Sequence, residues 1–287
     1  MRMADMAERY GGEVVQVERT WGEVFSVEEI NEAVRREKPA LVCLVHAETS
    51  TGACQPLAGV SAAVREVDAL LLVDSVTSIG GLPILVDEWQ IDACYAGAQK
   101  CLGCPPGASP LTFGPRAVAR LDARTEAGDK VKNWYLDLVA IRRYLAMPDG
   151  APRSYHHTAP ISSMYALYEG LRLIAEEGLP AVWARHRETA EFFWAGLEEM
   201  GLELVVDKAY RLPSLSTIRI PEGVDGKAVI VHFREKFNIE IGGGLGIFAG
   251  KAWRVGLMGF NSRKENALLC LAAFKDALAA QGWSPSK

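Results

Sequence analysis

Short apolar runs recur through the first half of the chain, separated by segments of mixed polarity. The runs are ALVCLVHA (40–47), LLLVD (70–74), DACYAGA (92–98) and LTFGP (111–115), the last ended by its Gly-Pro. They are too short for helices and almost without polar interruption, which is typical of strands buried in a parallel sheet. Helices are predicted between them. The clearest begins at the capping box Ser26-Val-Glu-Glu29 and ends before Pro39. Alternating strands and helices predict an α/β fold with a mainly parallel sheet.

The pattern changes near residue 178. A long helix is predicted after Pro180, followed by three strand-like segments and a last amphipathic helix. The strand-like segments are ELVVD (203–207), STIRI (216–220) and AWRVGLMG (252–259). We therefore predict a large domain over residues 1–177 and a smaller α+β domain over residues 178–287. One further short strand, EVVQVE (13–18), is predicted near the start of the chain.

Composition and charge narrow the classes of function. The chain has 287 residues, of which 49% are hydrophobic, so it can bury a sizeable core. A formal net charge of −5 gives no electrostatic reason to bind nucleic acid or an anionic membrane. No apolar run is long enough to span a bilayer, and the N-terminal sequence lacks the apolar core of a secretory signal. The 6 cysteines mostly lie in apolar segments, as reduced thiols do, so a cytoplasmic enzyme is predicted.

Two charged residues stand where apolar runs end. Asp74 closes LLLVD, and Lys100 follows DACYAGA among small residues. If the two strands are neighbours, both side chains lie at the carboxyl edge of the sheet, where open α/β folds bind ligands. A lysine that loses its proton can form a Schiff base with an aldehyde, and an aspartate can pair with a pyridinium nitrogen. The pair therefore points to pyridoxal phosphate (PLP), although an aspartate at a strand end is often only a turn former.

Other polar positions are open to two interpretations. HAETSTG (46–52) is either an ordinary turn or a loop that places Thr49 near the phenolic oxygen of the cofactor, with Gln99 near its phosphate. Arg254 and Arg219 each stand within a predicted strand, and either could clamp a substrate carboxylate. Alternation puts Arg254 on the face opposite its two apolar neighbours. Composition alone does not choose between the two arginines.

Three further motifs favour a plain structural interpretation, and no metal site is predicted. Cys101-Leu-Gly-Cys104 has no second ligand pair near it, so it does not fit a zinc site. The glycines of residues 242–246 do not open a helix after a first strand, so they indicate backbone freedom rather than a dinucleotide loop. The neighbouring His156 and His157 point to opposite sides of an extended segment, which suits packing better than metal binding.

Six motifs, in order, resemble the class V aminotransferases of PLP fold type I. They are HAETSTG, LLLVDSVTSIGG, GAQKCLGCPPG, SYHHTAP, IEIGGGLG and WRVGLMGFNSRKEN. The resemblance runs from near Met1 to about Ala280 and is nearest to the alanine–glyoxylate and serine–glyoxylate (serine–pyruvate) aminotransferases. It implies transfer of an amino group from alanine or serine to glyoxylate, giving glycine and a 2-oxo acid.

The resemblance also implies a role for each candidate that binds the cofactor. Lys100 would form the Schiff base with PLP and shuttle the substrate proton. Asp74 would keep the pyridine nitrogen protonated. Thr49 would bond the phenolic oxygen, and Gln99 would contact the phosphate.

The remaining roles concern the substrate and a second subunit. Arg254, rather than Arg219, would hold the α-carboxylate of the substrate. Tyr155 and Thr158 would reach the phosphate of the cofactor in a neighbouring subunit, which implies a homodimer with shared sites. The expected partners are thus small amino acids, 2-oxo acids and a second copy of the chain.

One departure from the family leaves alternatives open. In the family a further N-terminal portion precedes the position of Met1. It carries a phosphate-binding helix start, an aromatic that stacks on the ring and an arm that wraps the partner. The sequence is therefore expected to be truncated, and one alternative is an inactive remnant that serves only as a dimerising subunit. A second alternative is a cysteine desulfurase. Such enzymes carry a histidine immediately before the lysine, where this chain has Gln99, and need a mobile catalytic cysteine.

Overall fold

The computed structural model describes residues 2–145 and 155–284. The helices are α1 (Arg2–Arg9), α2 (Val27–Glu37), α3 (Val60–Glu66), α4 (Pro115–Glu126), α5 (Leu138–Leu145), α6 (Ile161–Glu177), α7 (Leu179–Glu199), α8 (Gly226–Phe237) and α9 (Lys264–Ala279). The strands are β1 (Leu41–Val45), β2 (Ala47–Glu48), β3 (Ala53–Cys54), β4 (Leu70–Asp74), β5 (Ala93–Tyr95), β6 (Leu111–Phe113), β7 (Leu215–Arg219), β8 (Gly242–Gly243) and β9 (Ala252–Gly256).

The first half of the chain is built on a sheet with the strand order β1-β4-β5-β6. The first three strands are parallel and β6 is antiparallel at the edge, so the predicted, mainly parallel sheet is confirmed. Helices α2 and α3 cover one face of this sheet, where Val64, Leu71 and Val73 are almost fully buried. The capping box that opens α2 is formed by Ser26 and Glu29, as the sequence predicts.

The second half is an antiparallel sheet with the order β7-β9-β8, packed against α7, α8 and α9. Its core is aromatic: Phe193, Phe233, Trp253 and Phe274 are fully buried. Gly178 ends α6 and precedes α7, with a positive φ of 84° that favours glycine. The assignment of residues 1–177 and 178–287 to two domains stays a prediction. None of the helices in the described part of the chain is long and apolar enough to cross a bilayer.

One strand prediction is wrong, and another holds over a shorter stretch than predicted. Residues 13–18 lie extended without forming a strand, and Val15 and Val17 are mostly exposed, because no other strand in the described ranges pairs with them. Residues 203–207 pair with β7 over a short stretch around Leu204, where the N–H of Val205 donates to the carbonyl of Thr217 at 2.9 Å and the N–H of Arg219 donates to that of Glu203 at 2.8 Å. Periodicity predicts an extended chain in both places, but the extent of a strand depends on the partner beside it.

Candidate active site

The carboxylate of Asp74 lies at the carboxyl end of β4 and accepts two hydrogen bonds. Its Oδ1 accepts from the backbone N–H of Val76 at 2.9 Å, and its Oδ2 accepts from the hydroxyl of Tyr95 at 2.6 Å. Strand β4 lies between β1 and β5, so Asp74 stands beside Val45 on one side and Tyr95 on the other. The acid is thus at the edge of the sheet where the sequence predicts it.

Asp74 has no cationic side chain within 4 Å among the residues that the structure describes. Asp92, which directly precedes the neighbouring strand β5, does have a cationic partner. It is 3% exposed, pairs with Arg116 at 3.1 Å and accepts the backbone N–H of Leu71. A partly buried carboxylate is costly without a countercharge. Asp74 is therefore suited to pair with a cationic group of a bound molecule.

Lys100 follows β5 in a turn fixed by backbone hydrogen bonds. The N–H of Gly103 donates to the carbonyl of Lys100 at 3.0 Å, and the N–H of Cys104 donates to that of Ala98 at 3.0 Å. The lysine side chain is half-buried, and no carboxylate of residues 2–145 or 155–284 lies within ion-pair distance of it. The turn therefore presents an amine that no acidic side chain of the described residues neutralises.

The turns that follow Asp74 and Lys100 are joined to each other. The thiol of Cys101 and the hydroxyl of Ser214 both donate to the carbonyl of Thr77, at 3.3 and 3.0 Å. Burial raises the pKa of the Cys101 thiol to about 11, so it is a neutral donor and not a nucleophile. These bonds fix the acid and the amine relative to each other.

Gln99 lies in the same region as Asp74. A methyl group placed on Gly97 would be 3.0 Å from Oε1 of Gln99 and 3.2 Å from Val76. Val76 is also the residue whose N–H bonds Asp74, so Gln99 and Asp74 each lie near Val76. A side chain at Gly97 would crowd the Gln99 carboxamide, which the glycine avoids.

Arg254 on β9 reaches the loop that contains Thr49. Its Nη1 donates to the carbonyl of Thr49 at 3.1 Å, and its Nε donates to the carbonyl of Gly243 at 2.8 Å. Burial lowers the pKa of Arg254, and the charge of Glu48 acts in the opposite direction. The contact uses the backbone of Thr49, and the Thr49 hydroxyl makes no hydrogen bond within the described ranges.

The structure separates the two candidate arginines. Arg254 is half-buried between the two halves of the chain, with Trp253 and Val255 buried on the opposite face of the strand, as alternation predicts. The guanidinium of Arg219 instead lies over the ring of Phe248, 5.9 Å from its centroid. Only Arg254 contacts the Thr49 loop.

Tyr155 and Thr158 are exposed and hydrogen-bonded to each other at 2.9 Å. Within the described part of the chain, neither bonds Asp74, Lys100 or Arg254. Between them, the ring of His156 stacks on Trp134 with centroids 4.2 Å apart, which is a packing role. The predicted role of Tyr155 and Thr158 at a second subunit stays a prediction.

Sequence reasoning missed two residues next to this region. Tyr95 bonds Asp74 directly, and only the strand register shows it. His186 on α7 is fully buried; its Nδ1–H donates to Val182 and its Nε2 accepts the N–H of Gly259. Gly259 in turn packs closely on Gly103 in the lysine turn. Neither residue belongs to a motif that could have identified it.

The residues present fit PLP. The cofactor offers an aldehyde, a pyridine nitrogen, a phenolic oxygen and a phosphate. Against these stand the amine of Lys100 and the carboxylate of Asp74, neither with an ionic partner among the described residues, together with the hydroxyl of Thr49 and the carboxamide of Gln99.

Comparison with known proteins finds relatives that are aminotransferases or transaminases. Residues 1–265 match the family model of the class V aminotransferases. The chain is 42% identical over 281 residues to an alanine–glyoxylate aminotransferase of Callithrix jacchus, an alignment covering 96% of this chain and 66% of that protein. It is 39% identical over 291 residues to an (S)-ureidoglycine–glyoxylate transaminase of Bacillus subtilis, covering 96% and 69%. The chain thus spans about two thirds of the length of these relatives.

A solved structure agrees with this grouping. The crystal structure of an alanine–glyoxylate aminotransferase from Nostoc sp. superimposes with a TM-score of 0.91 at 54% identity, covering 96% of this chain and 72% of that one. The chain belongs to the class V aminotransferases, has their PLP fold type I, and shares the family's cofactor, pyridoxal phosphate.

Proposed function

We propose that this chain carries the catalytic residues of a transaminase that moves an amino group from a small amino acid, alanine or serine, to glyoxylate. One observation carries the proposal. Asp74 and Lys100 stand in joined turns at the ends of neighbouring strands, and neither has an ionic partner among residues 2–145 and 155–284. Structural acids and amines in a protein of this size are usually paired or fully solvated.

When bound, PLP supplies an electron sink that makes the Cα–H bond of an amino acid acidic. The Nζ of Lys100 would accept the Cα proton and return it, so one group would serve as base and acid. The carboxylate of Asp74 would accept a charge-assisted hydrogen bond from the ring nitrogen and so favour its protonated form. The Thr49 hydroxyl would bond the phenolic oxygen, and the Gln99 carboxamide would contact the phosphate.

Arg254 would bind the substrate. Its Nε and Nη1 are held by backbone carbonyls, which orient the guanidinium plane. A planar fork matches the α-carboxylate of an amino acid. The same fork serves the 2-oxo acid in the return half-reaction, because donor and acceptor both carry that carboxylate. Arg254 is thus the selectivity element that the two half-reactions would share.

Glyoxylate is the acceptor in the names of both curated relatives, whereas the donors differ. We propose glyoxylate as the acceptor on that ground, with alanine or serine as the donor and ureidoglycine as the competing candidate. Steady-state rates with glyoxylate and each of the three donors decide among them. A value of kcat/KM for ureidoglycine well above those for alanine and serine would overturn the proposed donor.

The test of the catalytic lysine is spectroscopic. The purified chain with PLP is expected to show the visible absorption of a bound cofactor, and alanine is expected to bleach it. Lys100→Ala should remove the band and lower kcat by at least about 10⁴-fold, since no other amine replaces it. Lys251→Ala, an exposed lysine far along the chain, is the matched control. A Lys100→Ala variant with the wild-type band and rate would contradict the proposal.

The thiols argue against the cysteine desulfurase alternative. Desolvation raises the pKa of all 6 cysteines, Cys43, Cys54, Cys94, Cys101, Cys104 and Cys270. None is therefore poised as the thiolate that attacks sulfur. Sulfide release from cysteine at a rate comparable to transamination would restore that alternative. The inactive remnant is addressed by titrating PLP onto the chain: absence of saturable binding would favour the remnant over the enzyme.

We also propose that the chain forms a homodimer in which Tyr155 and Thr158 serve the partner's site. Both are exposed, and they bond each other rather than Asp74 or Lys100. They are followed directly by α6, whose outward face carries large apolar side chains (Ile161, Met164, Tyr165, Tyr168 and Leu171). Such a face is typical of a surface that another protein covers.

A further inference from the structure

Tyr95 makes the shortest contact to the acid of the site. Its hydroxyl donates to Oδ2 of Asp74 at 2.6 Å, the short distance of a bond to a charged acceptor. Strand register brings the two together: β4 and β5 are parallel neighbours, and Asp74 is directly opposite Tyr95. In a parallel pair, opposite residues point to the same face. The contact is therefore fixed by the backbone of the sheet.

The two hydrogen bonds to Asp74 act together. A carboxylate rotates easily about its last side-chain torsion, which has a broad energy minimum. The N–H of Val76 fixes Oδ1, and the hydroxyl of Tyr95 fixes Oδ2, so the plane of the carboxylate is set. Each oxygen has a second lone pair, and one remains on Oδ2 for a further donor.

The phenol of Tyr95 is not needed to hold its own strand. The carbonyl of Tyr95 accepts from the N–H of Ser75 at 2.9 Å and from the Ser75 hydroxyl at 2.8 Å. The strand also pairs on its other side with β6. Since the backbone is anchored twice without the side chain, loss of the hydroxyl should leave the fold intact.

Burial, first, and the neighbouring carboxylate, second, raise the pKa of Tyr95. The phenol is therefore protonated, and acts as a donor, at neutral pH. Among the described residues, Asp74 has no side-chain donor other than this one. The tyrosine hydroxyl is thus a permanent part of the surroundings of the acid.

We propose that Tyr95 is a positioning residue that orients the Asp74 carboxylate toward the ring nitrogen of the cofactor and thereby sets the strength of that contact. The inference rests on the proposed function. Without the hydroxyl, the carboxylate rotates about its torsion and spends less time in the orientation that faces the nitrogen. Catalysis and cofactor retention then weaken together, while the binding of substrate through Arg254 does not change.

The test is Tyr95→Phe in the PLP-loaded protein. We expect kcat to fall by about 10- to 100-fold with the KM for alanine within about threefold, because the lost hydrogen bond orients the acid and does not touch Arg254, which would bind the substrate. The dissociation constant of PLP, measured by fluorescence quenching, should rise by about fivefold or more, in proportion to the time for which the acid is misaligned. The pH midpoint of the visible band should also move. The Tm of the apoprotein should stay within about 2 °C.

Two comparisons make the outcome decisive. Tyr210→Phe removes an exposed phenol and should leave all five quantities unchanged. In an Asp74→Asn background, Tyr95→Phe should have little further effect, because the two residues act as a unit. Full additivity of the two substitutions would overturn the inference.

The remaining outcomes separate the inference from the function on which it rests. Wild-type protein that binds PLP and transaminates, with Tyr95→Phe identical to it in kcat, PLP affinity and band midpoint, overturns the role of Tyr95 alone. A Tyr95→Phe variant that loses Tm and raises KM shows a structural role and overturns it as well. Wild-type protein that binds no PLP overturns the proposed function first.

Discussion

At the scale of single residues, His46 shows how burial sets protonation beside the site. It follows β1 directly and is 5% exposed, with its ring edge-on to Trp89. Its Nε2 is 3.6 Å from the sulfur of Cys54, and its Nδ1 has no partner in the described part of the chain. Burial lowers the pKa of His46 to about 4, so the imidazole is neutral in the folded protein.

This burial predicts a loss of stability in mild acid. The unfolded chain binds a proton at His46 below a pKa near 6.5, whereas the folded chain does not until about pH 4. The stabilisation is therefore complete above pH 6.5 and is lost as the pH falls toward 4. Between pH 7 and pH 5 the loss attributable to His46 is about 2 kcal/mol. Urea unfolding at the two pH values measures it.

His46→Phe keeps the contact with Trp89 and removes the titration. The variant should lose less stability between pH 7 and pH 5 than the wild type does. The same substitution at His157, which is partly exposed, is the control and should leave the pH dependence as it is. An unchanged slope for His46→Phe would mean that another group, such as the buried His186, carries the effect.

Residue type and spacing were enough to propose Asp74 and Lys100 as candidates, because each follows an apolar run. They could not find Tyr95 or His186, whose partners depend on strand register and on how α7 packs. The environment of Arg254 can be predicted from the sequence only in part. Alternation predicts which face of the strand it occupies, but not that the carbonyl of Thr49 lies opposite that face.

At the scale of elements, the sequence predicts the strands buried in the first sheet correctly, but it also predicts a strand at residues 13–18 where none forms. Strands β1, β4 and β5 are buried on at least one face, so their hydrophobicity identifies them. Residues 13–18 have the same alternation but no neighbouring strand among the described residues. The hydrophobic pattern indicates which side chains are buried. A strand also requires a neighbouring strand, whose position depends on the rest of the fold.

Gly52 shows how the loop after β2 depends on its neighbours. Its φ is +80°, and a methyl group there would be 2.8 Å from the carbonyl of Leu215 on β7. The carbonyl of Gly52 also accepts the N–H of Leu212 at 2.8 Å. The loop that contains Thr49 is therefore fixed against the second half of the chain by backbone contact, which only glycine permits.

Gly52→Ala should destabilise the protein by roughly 3 kcal/mol, from a strained φ and from the displaced strand. Gly223→Ala is the matched control: its φ is +78° and nothing lies within 4 Å of the added methyl group. The control should cost only about 1 kcal/mol. Urea unfolding of both variants gives the difference. Equal decreases in the free energy of unfolding would show that the close approach to Leu215 does not contribute to stability.

At the scale of the whole molecule, the second half of the chain contacts three loops of the candidate site. Arg254 bonds the Thr49 loop, Ser214 bonds the turn after Asp74, and Gly259 packs on the lysine turn. His186 fixes Gly259 in this position. The acid, the amine and the arginine thus form one assembly, and their relative positions depend on both halves of the chain.

The outward face of α6 predicts self-association. Tyr165 and Tyr168 are 73% and 70% exposed, and only Leu167 and Gly170 of the helix are buried. A large apolar face that no described residue covers is costly in water, and a second copy that presents the same face can cover it. Because the helix begins just after Thr158, an interface there would bring Tyr155 and Thr158 close to the partner subunit.

Tyr165→Glu combined with Tyr168→Glu should therefore dissociate the dimer. Charges placed in an apolar interface should raise the dimer dissociation constant by at least about 100-fold, as removal of a central aromatic pair does elsewhere. Sedimentation velocity over a concentration series measures the change. The control is Leu268→Glu with Leu269→Glu, which adds the same charges to exposed positions of α9 and should leave association unchanged. A wild-type chain that stays monomeric at micromolar concentration would contradict both the interface and the shared site. Dissociation in the α9 control alone would place the interface on that helix instead.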